Sequence, residues 1–277
     1  MFRRPTFDYK TPQQILQLRD AAMATRHVLD EVTKAIQPGA TTRHLDDVAL
    51  RTLASDGATA NFALEDDYVD AICVSINEQI VHGIPGDRVI EPGDLVSVDA
   101  GALLNGWNGD SAVTVLVPGG DPEVSARRAE LSRVTEQSMW AGAAALASAK
   151  HVNQVGTAIE DYILGQGDYG ILREYIGHGI GREMHEDPPV FNYHISGRGA
   201  KVQPGLVICI EPMLTAGTEE TVIAPDGWAI SSADGSDGAH WEVQVAVTDR
   251  GIWALSYADG GAAGLAPFGV VPTPLTA

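Results

Sequence analysis

Glu91-Pro92-Gly93-Asp94-Leu95-Val96-Ser97-Val98-Asp99 returns later in the chain, at the same length, as Gln203-Pro204-Gly205-Leu206-Val207-Ile208-Cys209-Ile210-Glu211. Each copy is a Pro-Gly turn, an apolar run rich in β-branched residues, and an acid at the end. That is how a buried strand delivers a carboxylate. Outward from these stretches the surroundings repeat in the same order. Ala35-Ile36-Gln37-Pro38-Gly39-Ala40-Thr41-Thr42, then Leu45 to Leu53, resembles Ala149-Lys150-His151-Val152-Asn153-Gln154-Val155-Gly156, then Ile159 to Leu164. His82-Gly83-Ile84 echoes His178-Gly179-Ile180. A unit of helices followed by strands, present twice, predicts an α+β fold with internal pseudo-twofold symmetry and a site where the halves meet. Two copies are too few for a solenoid.

The helices read clearly. Thr11-Pro12 supplies an N-cap and a first-turn proline, and Ile15, Leu18, Ala22, Thr25, Leu29, Val32 and Ile36 recur in steps of three and four up to Pro38-Gly39. Thr42 is expected to cap a second helix carrying Leu45, Val48, Ala49 and Leu53, with Asp46 and Asp47 at its positive end. Ala71 to Val117 is strand and turn chemistry. Asp121-Pro122 opens an Ala-rich helix to about Lys150, and Asn153 is expected to cap the next. Strands resume as far as Ser256. The stretch after Tyr257, rich in Gly, Ala and Pro, reads as a loosely attached extension over 257–277, leaving a single domain over 1–277 with a core of about 11–256.

Composition narrows the function classes. With 44% hydrophobic and 20% charged residues in 277, this is ordinary globular material. Its 18 basic and 37 acidic residues give a formal charge of −19, which repels phosphate backbones and argues against DNA as a partner. Cys73 and Cys209 are far apart and outside any Cys-x-x-Cys pair, so neither a disulfide framework nor a thiolate zinc site is expected. No apolar run follows the basic N-terminus, and Ala141 to Ala149 is too short to span a bilayer, so a cytoplasmic protein without membrane association is expected.

Asp99, Asp110, His178, Glu211 and Glu242 each lie in or beside a strand-like run. Carboxylates are rarely buried unless paired or bound to metal, and four acids with one imidazole suit a divalent cation. Asp99 and Asp110 flank Leu103-Leu104-Asn105-Gly106-Trp107, which predicts a hairpin turning at Asn105-Gly106 and bringing the two carboxylates together. His178 has glycines on both sides, allowing close backbone approach; no helix with Lys and Ser or Thr follows, which argues against a phosphate loop. Pro188 and Pro189 exclude a helical His-Glu-x-x-His zinc motif after His185.

Ser75-Ile76-Asn77-Glu78, Val81-His82-Gly83-Ile84-Pro85, Val98-Asp99, Gly109-Asp110, Gly177-His178-Gly179-Ile180-Gly181, Met184-His185-Glu186, Ile210-Glu211-Pro212-Met213 and Trp241-Glu242, in that order, closely resemble the type I methionine aminopeptidases across about residues 11 to 250. The resemblance implies the pita-bread α+β fold and removal of the initiator methionine from nascent polypeptides when the second residue is small. It implies two divalent ions (Co, Mn, Fe or Zn), with Asp110 and Glu242 between them, Asp99 on one, and His178 with Glu211 on the other. Glu211 would also shuttle the proton, His185 would stabilise the oxyanion, and His82 would contact the peptide nitrogen. Tyr68, Cys73 and Trp228 match positions lining the methionine pocket, where polarisable surfaces suit a thioether. A monomer making at most transient ribosome contact through Arg3 and Arg4 is expected. Asn108, Met184 and Val243 depart from the family pattern, as does the acidic stretch Glu65-Asp66-Asp67, which reads as a solvated loop.

Overall fold

The computed structural model describes residues 7–64 and 68–275. Glu65, Asp66 and Asp67, expected to form a solvated loop, and Arg3 and Arg4 lie outside the described residues. The first half of the chain contributes α1 (Pro12–Ala35), α2 (Thr42–Ser55), β1 (Thr59–Ala60), β2 (Ile72–Ile76), β3 (Gln79–Val81), β4 (Leu95–Leu104) and β5 (Trp107–Leu116). The second contributes α3 (Pro122–Leu146), α4 (Asn153–Leu164), β6 (Gly170–Ile171), β7 (Gly177–Gly179), β8 (Glu186–Val190), β9 (Val207–Ile210), β10 (Met213–Thr215), β11 (Thr221–Ile223), β12 (Ile230–Ser232), β13 (Gly238–His240), β14 (Val243–Val247), β15 (Ile252–Ala254) and the short α5 (Ala262–Leu265). The expected order, two helices and then strands in each half, is what folds.

α1 begins as the sequence predicts. Thr11 and Gln14 form a reciprocal capping box, and the stripe through Ile15, Leu18, Ala22, Val28, Leu29 and Val32 is buried. Val28, Leu29 and Val32 share one apolar cluster with Val96, Val98 and Ala100 of β4. In the second half α3 and α4 build a cluster with β9 and β14 through Trp140, Val155, Ile159, Ile208 and Val245.

Four local expectations are corrected. The cap of α2 is Thr41, whose Oγ1 accepts from His44 N at 3.2 Å, not Thr42. Thr42 is instead buried, its hydroxyl accepting from Gly86 N at 2.8 Å, because the loop after His82 docks there. Asp46 likewise serves tertiary structure more than the helix end: it is buried and accepts from Ala71 N and Ile72 N. α4 has no side-chain cap; Val152 holds that position and Asn153 is the first helical residue, their N–H groups bonding Ala200 O and Arg198 O. The final segment is not loosely attached. Leu265 is fully buried, Thr273 N donates to Ile252 O at 2.7 Å, and a Cβ on Gly264 would collide with the Trp140 ring.

Two sheets carry the site. β4 pairs with β1, β2 and β5, and β9 lies between β14 and β7 in the order β15-β14-β9-β7-β8. The β4–β5 hairpin turns where expected, with Asn105 and Gly106 at φ 52° and 74°, the left-handed pair of a type I′ turn. The halves are stitched along β5 and residues 240–244. Glu242 N donates to Ala112 O at 3.0 Å, Ser111 Oγ to Glu242 O at 2.7 Å, and Thr114 Oγ1 to His240 O at 2.6 Å.

Candidate metal centre

Register explains why distant acids meet. Asp99 lies opposite Ala112 and Asp110 opposite Gly101, so the two aspartates are diagonal neighbours on one face of the hairpin. Ala112 in turn accepts from Glu242 N, and because Val243 pairs with Ile210 the ladder continues to place Glu211 beside Glu242. Asp99, Ala112, Glu242 and Glu211 therefore form one cross-strand row spanning both halves, with Asp110 one pleat away. His178 enters from β7, which is squeezed between β8 and β9: a Cβ on Gly177 or Gly179 would strike the carbonyl of Cys209 or Asp187. Glycine on both sides lets that strand approach.

His178 Nε2 lies 3.4 Å from Glu211 Oε1 and 3.7 Å from Asp110 Oδ2. Its Nδ1 is 2.9 Å from Gly179 O, so Nδ1–H donates to that carbonyl and Nε2 presents its lone pair to the acids. Burial, reinforced by His185, lowers the His178 pKa to about 4, keeping the ring neutral. Asp99 is pushed up to about 7 by burial, against a backbone hydrogen bond at Ala100. Burial raises Asp110, Glu211 and Glu242 well above the carboxylate range, and each is pushed further by its acidic neighbours.

Such a cluster asks for a cation. Among the described residues, Asp99 Oδ1, Asp110 Oδ1 and Glu242 Oε1 are buried without a hydrogen-bond partner, an arrangement that is costly unless positive charge satisfies it. Donor atoms from Asp110, His178, Cys209 and Glu242 all lie within 4.8 Å of one another. These residues fit a divalent metal ion.

Cys209 adds a residue to the cluster that the sequence did not single out. It lies two residues before Glu211 on the same face of β9 and makes a side-chain hydrogen bond with Glu242, and burial raises its thiol well above its usual pKa. His240 repeats the relation two residues before Glu242. It is buried, its Nε2 has no hydrogen-bond partner among the described residues and lies 3.9 Å from Glu211 Oε2, and burial lowers its pKa to about 3. Each lies one strand period before a glutamate and so shares its face, a signal too common in strands to single out either residue by itself. Gln244 Oε1 accepts from Asp110 N at 3.3 Å, and Asn192 Nδ2 donates to Glu211 O at 3.1 Å, so both acids are held through their backbones as well.

Above the acids opens a cavity of about 210 Å³, with all five acid and imidazole residues on its floor. Tyr68, Cys73 and Trp228 form part of its wall, joined by Phe62, Tyr175, Met184 and Met213. Phe62, Tyr68 and Cys73 form one buried cluster on which Met184 and Trp228 pack, and the Tyr68 and Trp228 rings meet edge-on at 5.0 Å. His82 and His185 also line the cavity. The His185 ring stands nearly perpendicular to that of His178, with centroids 4.5 Å apart. His82 has φ 60°, a left-handed backbone uncommon outside glycine and often found at functional sites, and burial lowers its pKa to about 4. Val243, in contrast, is buried in the core.

Comparison with known proteins agrees with this geometry. The model of metallopeptidase family M24 matches residues 17–249. Methionine aminopeptidase 1 of Mycobacterium tuberculosis is 42% identical over 251 residues, covering 87% of this chain and 92% of that protein. Methionine aminopeptidase 1 of Bacillus subtilis is 37% identical over 247 residues, covering 89% and 98%. The crystal structure of methionine aminopeptidase from Thermotoga maritima superposes with a TM-score of 0.86 at 35% identity, covering 91% of this chain and 99% of that one. The fold is the pita-bread α+β fold, and the chain belongs to metallopeptidase family M24.

Proposed function

We propose that this protein is a metal-dependent aminopeptidase that removes an N-terminal methionine from peptides and nascent polypeptides when the second residue is small. The observation that carries this reading is the position of the acid and imidazole cluster directly beneath a small cavity walled by aromatic and sulfur-bearing side chains. At about 210 Å³ the cavity is smaller than the ~300–1,000 Å³ of sites for larger ligands, and suits one side chain and the reacting bond. Tyr68, Cys73, Trp228 and Met184 offer the soft contact a thioether prefers.

Asp99, Asp110, His178, Glu211 and Glu242 would hold two divalent ions; Mn, Fe, Co and Zn all suit such donors. When bound, the metal supplies Lewis acidity and lowers the pKa of water. Glu211 accepts the proton of the attacking water and delivers it to the departing amine, so that the carbonyl carbon gains an oxygen as the C–N bond breaks. His185 faces the carbonyl oxygen and donates to it as charge develops there. His82, neutral at pH 7, contacts the nitrogen of the second residue. The free amino group of the substrate belongs near Asp99, which limits action to chain ends. Two free, buried cysteines and the absence, among the described residues, of a helix long and apolar enough to cross a membrane are compatible with a cytoplasmic site of action. The charge of −19 favours monomeric solubility and transient ribosome contact over stable docking on RNA.

The test is to strip the protein of metal, reload it separately with Mn, Fe, Co and Zn, and offer peptides beginning Met-Ala, Met-Lys, Leu-Ala and Ala-Pro. Methionine should be released from Met-Ala alone, and the Glu211→Gln variant should not release it. No cleavage of any peptide by protein that retains metal would overturn the reading.

A further inference from the structure

We propose that Asn108, buttressed by Asn61, is a positioning residue that fixes the segment carrying Met184 and His185 to the strand carrying Asp110; as a statement about catalysis, this rests on the aminopeptidase reading above. Residues 181–185 are irregular backbone between Ile180 and the start of β8. Within the segment, Gly181 N donates to Glu183 O at 3.0 Å. Its orientation must therefore come largely from outside.

Asn108 supplies that anchorage. It is 3% exposed and lies on β5 two residues before Asp110, facing the beginning of the segment. Its backbone N–H donates to Gly181 O at 3.0 Å, and its side-chain Nδ2 donates to Gly181 O at 3.2 Å and Arg182 O at 2.9 Å. The Asn108 Oδ1 is occupied from behind, accepting from Asn61 Nδ2 at 3.2 Å. Asn61 is 2% exposed, also donates to Gly109 O at 3.3 Å, and fills the space a side chain on Gly101 would need. Gly101 is the cross-strand partner of Asp110.

The pair of amides thus joins three parts of the cavity. Asn61 immediately precedes Phe62 on the wall, Asn108 shares β5 with Asp110, and the carbonyls it holds lie two to four residues before Met184 and His185. Other attachments act elsewhere on the segment: Met184 meets His178 through its backbone and Glu183 N donates to Glu186 Oε1 at 3.2 Å, whereas Asn108 holds the start. Arg182 stacks on Trp107 at 4.0 Å and donates to Gly106 O at 2.8 Å, but its side chain is exposed and reaches the hairpin tip, not the strand beside the metal cluster. Lys10 pairs with Glu186 at 2.5 Å and so fixes the far end of the segment. A polar side chain buried with two donor contacts to one loop is a rigid tether, because losing it leaves carbonyls unpaired in a dry site.

Asn108→Leu keeps the branched shape and removes every side-chain hydrogen bond; Asn61→Ala leaves the contacts of Asn108 to the segment in place while removing the buttress and the bond to Gly109 O, and covers the case in which the first variant does not fold. Amide hydrogen exchange is measured on the full chain together with metal affinity by calorimetry, kcat and KM. Exchange across residues 181–186 should accelerate at least tenfold in Asn108→Leu and less in Asn61→Ala, with residues 95–104 unchanged. Turnover of Met-Ala peptide should fall about 10- to 100-fold, the loss expected for a displacement near 1 Å, while metal affinity stays within about threefold. Unchanged exchange at 181–186 in both folded variants overturns the proposal, as does a loss of turnover that follows lost metal affinity. Failure of the unaltered protein to cleave would remove the aminopeptidase reading, while the exchange result would still decide the tether.

Discussion

Glu211 carries more of the proposed chemistry than any other residue: it faces His178 at 3.4 Å, sits near His240, and is held through its carbonyl by Asn192. Glu211→Gln keeps its shape and removes the base, so turnover should fall by at least the ~10²–10⁴-fold that a positioned acid–base group contributes, measured as steady-state methionine release. Cys209 should act differently, because its thiol hydrogen-bonds Glu242 from beneath. Cys209→Val should weaken metal binding by about tenfold or more, and Cys209→Ser should restore much of it, as read from metal titrations. The four acids were legible because a charge inside an apolar strand is conspicuous, and His178 because its flanking glycines are. Cys209 and His240 were not, since a cysteine and a histidine inside strands look like ordinary core and become site residues only once register places them beside Glu242 and Glu211.

Elements were legible where their signals are local. The capping box of Thr11 and Gln14, the Asn105-Gly106 turn and the Asp121-Pro122 helix start all depend on neighbours within a few residues, and all form. Thr42 and Asn153 are near misses of another kind, because a side chain suited to capping was claimed by, or displaced toward, a distant loop. The last segment had no periodicity to read. It packs through Gly260, Gly261 and Gly264 against Trp253, Ala254 and Trp140, contacts that depend on absent side chains. Leu265 anchors it, and Leu265→Ala should cost about 2–5 kcal/mol of stability in urea unfolding, the range for a buried large-to-small change. A change within about 0.5 kcal/mol, typical of an exposed site, would show that the segment does not contribute to the core.

Across the whole molecule the cluster makes metal and fold interdependent. Without metal, Asp99 titrates at about 7 and its acidic neighbours are raised too, against ~4 for carboxylates in an unfolded chain. A raised folded pKa contributes stability that is complete below the unfolded pKa and is lost as pH rises through the folded one. His82, His178 and His240 run the other way, with folded values of about 4, 4 and 3, so their contribution is present above ~6.5 and lost on acidification. The two sets oppose between about pH 4 and 6.5, and above that only the carboxyls still change. The Tm of metal-free protein should therefore fall from about pH 6.5 to 8, and saturating Mn should raise it most at the alkaline end; a flat metal-free profile there would contradict this. From the chain alone came the duplication, the helices and the set of acids and histidines, because strand periodicity, turns and charges in apolar runs are written within a few neighbouring residues. Only the tertiary structure decided that Cys209, His240, Asn108 and Asn61 belong to the site and that the last segment is core, because those roles depend on register and packing between segments that are not neighbours in the chain.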